Sequence, residues 1–187
     1  LNKIKFLNKK KLEKTLNIKF LKKNIVVTVH PQANRKTTIK LIENLLEALN
    51  TLEDTLVIFT GVNPDLNSDL ITLKIDNYKK KNKFKIFNHL GKNLYISLIK
   101  QVDCIVGNSS SGFIEAPYLK VPVVNIGKRQ DGRPVSTNII NTDSKKKDIL
   151  KAIKKTYSLT FKKNLRFTQS FYFKKNSSLN ILSLIHI

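Results

Sequence analysis

A run of small and hydroxyl residues, Gly107-Asn108-Ser109-Ser110-Ser111-Gly112, lies between an apolar segment and a helix-like segment of this 187-residue chain. Small residues let backbone N–H groups approach an anion, hydroxyls add donors, and a helix start adds a partial positive charge. The run therefore predicts a phosphate or pyrophosphate site. An N-capped turn, with Ser109 or Ser110 as the cap, explains the same residues equally well. The sequence contains neither G-x-x-x-x-G-K-[ST] nor G-x-G-x-x-G, which disfavours a P-loop and an NAD site.

Two charged residues after this run could contact the rest of a nucleotide. Glu115 lies three residues after Gly112. Its carboxylate could accept hydrogen bonds from ribose hydroxyls or, as a capping-box residue, from its own helix start. Arg129 lies in the loop 127–134, which contains two glycines and a proline. Its guanidinium suits bidentate contact with phosphate oxygens, and a solvated basic turn is the alternative explanation.

Histidine is the residue that could supply acid–base chemistry near neutral pH. His30 ends the first apolar segment, where it could be an acid–base group, a phosphate donor, a hydroxyl anchor or a structural residue. His89 precedes Leu90 and could present its neighbour's backbone to a base. No paired carboxylates, metal-ligand cluster or Ser-His-Asp order is recognisable. We therefore expect no metal, no cofactor and no complete catalytic site in this chain.

Apolar segments alternate with segments of helical periodicity along the chain, and this alternation predicts an α/β fold with a parallel sheet covered by helices on both faces. The predicted strands are 24–30, 56–60, 84–87, 104–107, 121–126 and, more weakly, 137–140; the predicted helices are 37–49, 68–78, 93–100, 112–118 and one from residue 144. Ligands of such sheets bind beyond the carboxyl ends of the strands, which are followed here by His30 and the loops 61–65, 88–91, 108–111 and 127–133. Tyr95 and Tyr118 lie on apolar helix faces and are expected in the core.

The charge is strongly positive, with 35 Lys+Arg against 13 Asp+Glu and a net charge of +22. The excess is nearly all lysine and is spread along the whole chain, which favours a solvated lysine surface over a nucleic-acid surface. One cysteine, Cys104, excludes a disulfide framework. The sequence contains no apolar run that could span a bilayer and no signal peptide. We therefore expect a cytoplasmic protein with neither a membrane nor a nucleic-acid partner.

Several longer stretches resemble the UDP-N-acetylglucosamine 2-epimerase family, and most closely its hydrolysing members that feed sialic-acid-type sugar synthesis. They are VTVHP (27–31), the segment 90–97, the string VDCIVGNSSSGFIEAPYLKVPVVNIGKRQDGR (102–133) and residues 138–140. The resemblance runs from about residue 10 to about residue 180. It implies a Rossmann-like UDP-binding lobe over 24–158, the C-terminal half of a GT-B fold. Residues 1–23 would be the crossover from a missing N-terminal lobe and 159–181 a helical tail, while 182–187 resemble a library-preparation sequence and are expected to be non-native.

The same resemblance implies a role for each matching residue. Ser109 and Ser110 would hold the diphosphate, helped by Ser111, Gly112 and the helix start. The remaining assignments are Glu115 at the ribose hydroxyls, Arg129 at the diphosphate or sugar, Leu90 with backbone contacts to uracil, Asn63 near the nucleotide and His30 as the active-site histidine.

The implied reaction begins with loss of the proton at sugar C2 and departure of UDP from C1. Hydration of the glycal-like intermediate then releases N-acetylmannosamine and UDP. The general bases would belong to the missing lobe, so we expect this chain alone to bind UDP weakly without turnover. The expected partners are the UDP-sugar and the missing lobe, and a homo-oligomer stays open. A non-hydrolysing epimerase, a GT-B glycosyltransferase lobe and a bacillosamine-type substrate also remain alternatives.

Overall fold

The computed structural model describes residues 5–61, 68–76 and 83–172, which form a sheet flanked by helices. The strands are β1 (Lys23–Thr28), β2 (Thr55–Thr60), β3 (Phe84–Phe87), β4 (Cys104–Gly107), β5 (Val123–Ile126) and β6 (Ile139–Thr142). The helices are α1 (Lys9–Leu16), α2 (Arg35–Asn50), α3 (Ser68–Asp76), α4 (Gly91–Ile99), α5 (Ser111–Leu119), α6 (Lys146–Thr156) and α7 (Leu159–Asn164), followed by a 3-10 helix (Leu165–Phe167). Within these residues the strands form one parallel sheet in the order β3-β2-β1-β4-β5-β6.

Successive residues of the central strands point into two different apolar layers. On one face of the sheet, Ile25 and Val27 of β1 belong to a buried cluster that includes the apolar side chains of α2 and α6. On the other face, Val26 belongs to a second cluster, with side chains of α1, α4 and α5. Because both faces are covered, the central strands are continuous apolar runs. The predicted α/β fold with helices on both faces is confirmed.

Local sequence signals explain where several elements begin. The helix α2 begins at Arg35 because the Asn34 side chain accepts hydrogen bonds from the backbone N–H groups of Lys36 and Thr37, over 2.8 and 3.3 Å. The strand β5 begins at Val123, two residues later than predicted, directly after Pro122, which has no N–H for the ladder. The strands β3 and β4 have their predicted bounds.

The carboxyl-terminal part of the chain is described as far as residue 172. Within the predicted tail, α7 and the 3-10 helix account for residues 159–167. Residues 173–187, and with them the expected non-native end, lie outside the described residues. The division of the chain into linker, lobe and tail stays a prediction. None of the described helices is both long and apolar enough to cross a membrane.

The direction of the sheet order changes beside β1. The chain continues from β1 to β2 and β3 on one side, and it returns to place β4, β5 and β6 on the other side. Thr28 at the end of β1 is in register with Gly107 at the end of β4. Parallel sheets bind ligands at such a switch point, beyond the carboxyl ends of the two central strands. His30 and the serine run both follow these two strand ends.

Candidate functional site

Asn108 joins the carboxyl ends of three strands. Its buried side chain accepts a hydrogen bond from the His30 backbone N–H over 2.7 Å and donates one to the His30 carbonyl over 2.9 Å. Its backbone carbonyl accepts hydrogen bonds from Arg129 Nη1 over 3.2 Å and from Gln130 Nε2 over 2.8 Å. The loops after β1, β4 and β5 therefore meet at one asparagine.

Gly107 allows β4 to pass close to β1. Its φ is +146°, and a Cβ atom at this position would lie 2.0 Å from the carbonyl oxygen of Thr28. Any side chain would therefore force the backbone of one of the two strands to move. A glycine is required at the residue immediately before the serine run.

The three serines turn the chain from β4 into α5. Ser109 Oγ accepts a hydrogen bond from the Ser111 backbone N–H over 3.3 Å. Ser110 is the N-cap residue but makes no side-chain capping bond, and its hydroxyl has no hydrogen-bond partner among the described residues. Of the two serines predicted as caps, Ser109 therefore makes one long side-chain bond at the start of α5, and Ser110 makes none. The Ser110 hydroxyl remains available to a ligand.

In the described part of the chain, two of the helices that begin at this edge of the sheet lack both a side-chain cap and an acidic residue in the first turn. They are α4, with Leu90 at the N-cap, and α5, with Ser110 at the N-cap, and neither has an acidic residue in its first turn. By contrast, α1, α2 and α7 are capped by Asn8, Asn34 and Ser158. The helix α6 also lacks a cap but has an aspartate in its first turn. The partial positive charges at the starts of α4 and α5 therefore favour a bound anion.

A cavity of about 430 Å³ lies over these strand ends. It brings together His30, Leu90 and the three serines, which the sequence had placed on separate loops. Its lining consists of Thr28, His30, Thr60, Gly61, Asn88, His89, Leu90, Gly91, Lys92, Tyr95, Ser109, Ser110 and Ser111. This lining contains hydroxyls, two histidines and a lysine but no carboxylate among the described residues. Such a surface suits a polyanionic ligand.

Gly112 and Glu115 lie beside the cavity, outside its lining. Gly112 is buried, its N–H donates to the Ser109 carbonyl over 3.2 Å, and a Cβ atom would lie 2.8 Å from Val123 Cγ1. It permits close packing of α5 on β5. Glu115 is half-buried one turn into α5, and within the described residues its carboxylate accepts no hydrogen bond from the helix start. The structure therefore contains no capping box there.

The remaining predicted residues lie near the same edge or outside the described part of the chain. Arg129 contacts the serine run through the Asn108 carbonyl, although it does not line the cavity. Leu90 lines the cavity at the start of α4. Asn63, predicted near the nucleotide, lies outside the described residues.

Tyr95 is a residue of this cavity that the sequence reasoning placed in the core. Its ring packs against the apolar cluster under α4, but its hydroxyl lies 2.7 Å from Ser111 Oγ. Burial raises the pKa of Tyr95 above its ordinary value, the neighbouring hydroxyls of Ser111 and Thr28 lower it, and the charge of Glu115 raises it. Its position one turn after a strand-end loop is the signal that could have identified it. The core prediction for Tyr118 is wrong, because that residue is 39% exposed.

Two other cavity residues were also missed, Thr28 and Thr60, whose hydroxyls are 2.8 Å apart at the ends of β1 and β2. Both lie in continuous apolar segments, and threonine is common in strands, so their sequence carried no signal of a binding role. Within the described part of the chain, no group of three or more histidine, cysteine, aspartate or glutamate residues could hold a metal ion.

The sheet, its strand order and the cavity at its carboxyl edge define a Rossmann-like lobe, the C-terminal half of a GT-B fold. Comparison with solved structures supports this class. UDP-GlcNAc 2-epimerase from Neisseria meningitidis, solved bound to UDP-GlcNAc, matches 95% of this chain and 48% of its own length, with a TM-score of 0.75 and 14% identity. The Methanocaldococcus jannaschii enzyme, in complex with UDP-GlcNAc and UDP, matches 96% of this chain and 49% of its own length, with a TM-score of 0.68 and 18% identity.

Residues 2–186 match the family described as UDP-N-acetylglucosamine 2-epimerase, and the chain belongs to this family. A GDP/UDP-N,N'-diacetylbacillosamine 2-epimerase (hydrolyzing) from Campylobacter jejuni is 46% identical over 162 residues, which cover 85% of this chain and 42% of the relative. Polysialic acid biosynthesis protein P7 from Escherichia coli is 33% identical over 180 residues, 95% of this chain and 46% of the relative. The chain thus spans less than half the length of these two relatives.

Proposed function

We propose that this chain is the UDP-binding lobe of a hydrolysing UDP-sugar 2-epimerase, which converts UDP-N-acetylglucosamine and water into N-acetylmannosamine and UDP. The observation that carries the proposal is the serine run at the start of α5, which together with His30 faces a cavity whose described lining contains no carboxylate. The 46% identity to a relative whose name includes "hydrolyzing" supports the hydrolysing type.

The proposed binding mode assigns the diphosphate to Ser109 and Ser110. Both serines lie at the positive end of α5, and the start of α4 lines the same cavity, so their hydroxyls can donate to phosphate oxygens held there. Arg129, held at the Asn108 carbonyl, would turn its remaining N–H groups toward the same anion. Uracil would contact the backbone at Leu90, which lines the cavity beside β3.

Glu115 and His30 complete the proposed site. Glu115 would accept hydrogen bonds from the ribose hydroxyls, a role open to it because its carboxylate makes no capping bond within the described residues. His30 is buried and lines the cavity, with its backbone fixed by Asn108. Its imidazole would face the reacting end of the substrate.

In the proposed reaction this lobe stabilises the leaving group. A base removes the proton from C2, the C1–O bond breaks, and its electron pair stays with the β-phosphate of UDP. Hydroxyl and guanidinium donors that are already oriented stabilise that charge without reorganisation. Water then adds across the resulting C1–C2 double bond, placing a hydroxyl on C1 and a proton on the opposite face of C2. The base at C2 would come from outside the described cavity, since its lining contains no carboxylate.

Isothermal titration of the chain with UDP tests the proposal. We expect saturable binding in the millimolar range, weakened severalfold by Arg129→Ala. Arg133→Ala is the matched control, because Arg133 belongs to the same loop but its Nη1 faces the Tyr172 hydroxyl, 3.3 Å away. Absence of saturable heat at millimolar UDP, or equal affinities of the two variants, would contradict the proposed site.

A diacetylbacillosamine nucleotide is the second candidate substrate. The higher identity to the Campylobacter jejuni relative than to protein P7 favours it. Titrations with UDP, GDP, UDP-N-acetylglucosamine and UDP-diacetylbacillosamine separate the cases. Tighter binding of the bacillosamine nucleotide would support this candidate, whereas equal affinities for both sugars would place the sugar contacts outside this chain.

A further inference from the structure

A pair of hydroxyls connects α4 to the serine run. Tyr95 Oη and Ser111 Oγ are 2.7 Å apart, and either atom could be the donor. Each hydroxyl has a single proton, so the direction of this bond decides what Ser111 can offer to a ligand. If Ser111 donates to Tyr95, its proton is occupied. If Tyr95 donates to Ser111, the Ser111 proton is free to point into the cavity.

The chemistry of the two hydroxyls favours donation from Tyr95 to Ser111. A phenol is a stronger hydrogen-bond donor and a weaker acceptor than an aliphatic hydroxyl. The Tyr95 phenol is also protonated at neutral pH, since burial raises its pKa. In the 2.7 Å contact, Tyr95 is therefore the donor and Ser111 Oγ the acceptor.

We propose that Tyr95 is a positioning residue, whose hydroxyl donates to Ser111 Oγ and thereby directs the Ser111 proton to the diphosphate. This inference rests on the proposed function, because it assumes that a diphosphate occupies the cavity. The Ser111 backbone N–H is already directed at Ser109 Oγ, so the hydroxyl is the group through which Ser111 contacts the ligand.

Replacing Tyr95 by phenylalanine removes the donor and keeps the ring that packs under α4. We expect the dissociation constant for UDP to rise about fivefold, the effect of one neutral hydrogen bond, with that for uridine unchanged because uridine has no phosphate. Tyr157→Phe is the matched control. Its phenol is also buried, but it lies beside Cys104 at the opposite edge of the sheet, so UDP affinity should not change.

A double-mutant cycle with Ser111→Ala tests the direct link between the two hydroxyls. Tyr95→Phe should cause no further loss of UDP affinity once Ser111 lacks its hydroxyl. Unchanged UDP affinity in Tyr95→Phe, equal losses for UDP and uridine, or a full additional loss in the Ser111→Ala background would each overturn the positioning role. Failure of the native chain to bind UDP is a different result: it would overturn the proposed function and this inference with it.

Discussion

Replacing Asn108 by alanine tests whether one buried amide holds the strand ends together. The side chain is 0% exposed, and it makes hydrogen bonds of 2.7 and 2.9 Å with the backbone of His30. Each bond contributes about 1 kcal/mol to the free energy of unfolding. In the variant the buried backbone N–H of His30 loses its acceptor, which costs about 1–3 kcal/mol more. We therefore expect Asn108→Ala to lower the free energy of unfolding by about 3–5 kcal/mol. This loss is a large share of the roughly 5–15 kcal/mol that stabilises a typical domain.

Urea unfolding followed by circular dichroism measures this loss. With a slope of about 2 kcal/mol per molar urea, the midpoint should fall by roughly 1.5–2.5 M. Asn138→Ala is the matched control, since Asn138 is equally buried and its Nδ2 donates one bond of 2.7 Å to the Val121 carbonyl, beside β6. We expect a loss of about 1–2 kcal/mol for this control.

The two variants should also differ in ligand binding. Asn108→Ala removes the hydrogen bonds between the loop after β1 and the serine run. His30 and Ser110 should then no longer hold their relative positions, and UDP affinity should fall. Asn138→Ala leaves the cavity intact and should bind UDP as the native chain does. If Asn108→Ala loses no more stability than Asn138→Ala, or retains full UDP affinity, the amide does not hold the site together and the reasoning is refuted.

Three further predictions concern packing, thiol chemistry and charge. Gly112→Ala should lower the free energy of unfolding by about 1–3 kcal/mol in urea titrations, because its Cβ would lie 2.8 Å from Val123 Cγ1; an unchanged midpoint would contradict this packing. Cys104 should not react with a disulfide reagent at pH 8 until the chain unfolds, since burial raises its pKa to about 12; rapid labelling of the folded chain would count against it. Binding to random DNA should disappear near 0.15 M salt, because the lysines that carry the net charge of +22 are spread along the whole chain; binding that persists at this salt concentration would instead indicate a nucleic-acid partner.

The sequence was sufficient to predict the parallel sheet and most of the residues at the edge that carries the candidate site. The apolar run of β4 ends at Gly107, and both the strand bounds and the following serines could be predicted because a buried strand, a glycine and a helix start have distinct local patterns. The sequence also placed His30 and the serine run at the same edge of the sheet, since parallel strands bring their carboxyl ends to one edge, whereas the pairing of β1 with β4 that makes them neighbours came from the structure.

The contacts between loops could not be predicted in the same way. Asn108 looks like an ordinary polar loop residue, and only the register of β1 against β4 brings its amide to the His30 backbone. The periodicity of α4 placed Tyr95 on the apolar face, where its ring does lie, but the reach of its hydroxyl depends on how α4 packs against α5. Such distances are fixed by tertiary packing, which local patterns do not encode.

The cavity's composition indicates how the proposed chemistry is divided. A base at sugar C2 must lie close to a carbon that is several bonds from the diphosphate, and a carboxylate close to the diphosphate would repel the charge of the leaving UDP. The described lining follows this requirement: it has serines, threonines, a tyrosine, two histidines and a lysine, and Glu115 lies one turn into α5, outside this lining. In the proposed function, the described lining therefore stabilises the leaving UDP, and the carboxylates that would move the proton at C2 lie outside this lining.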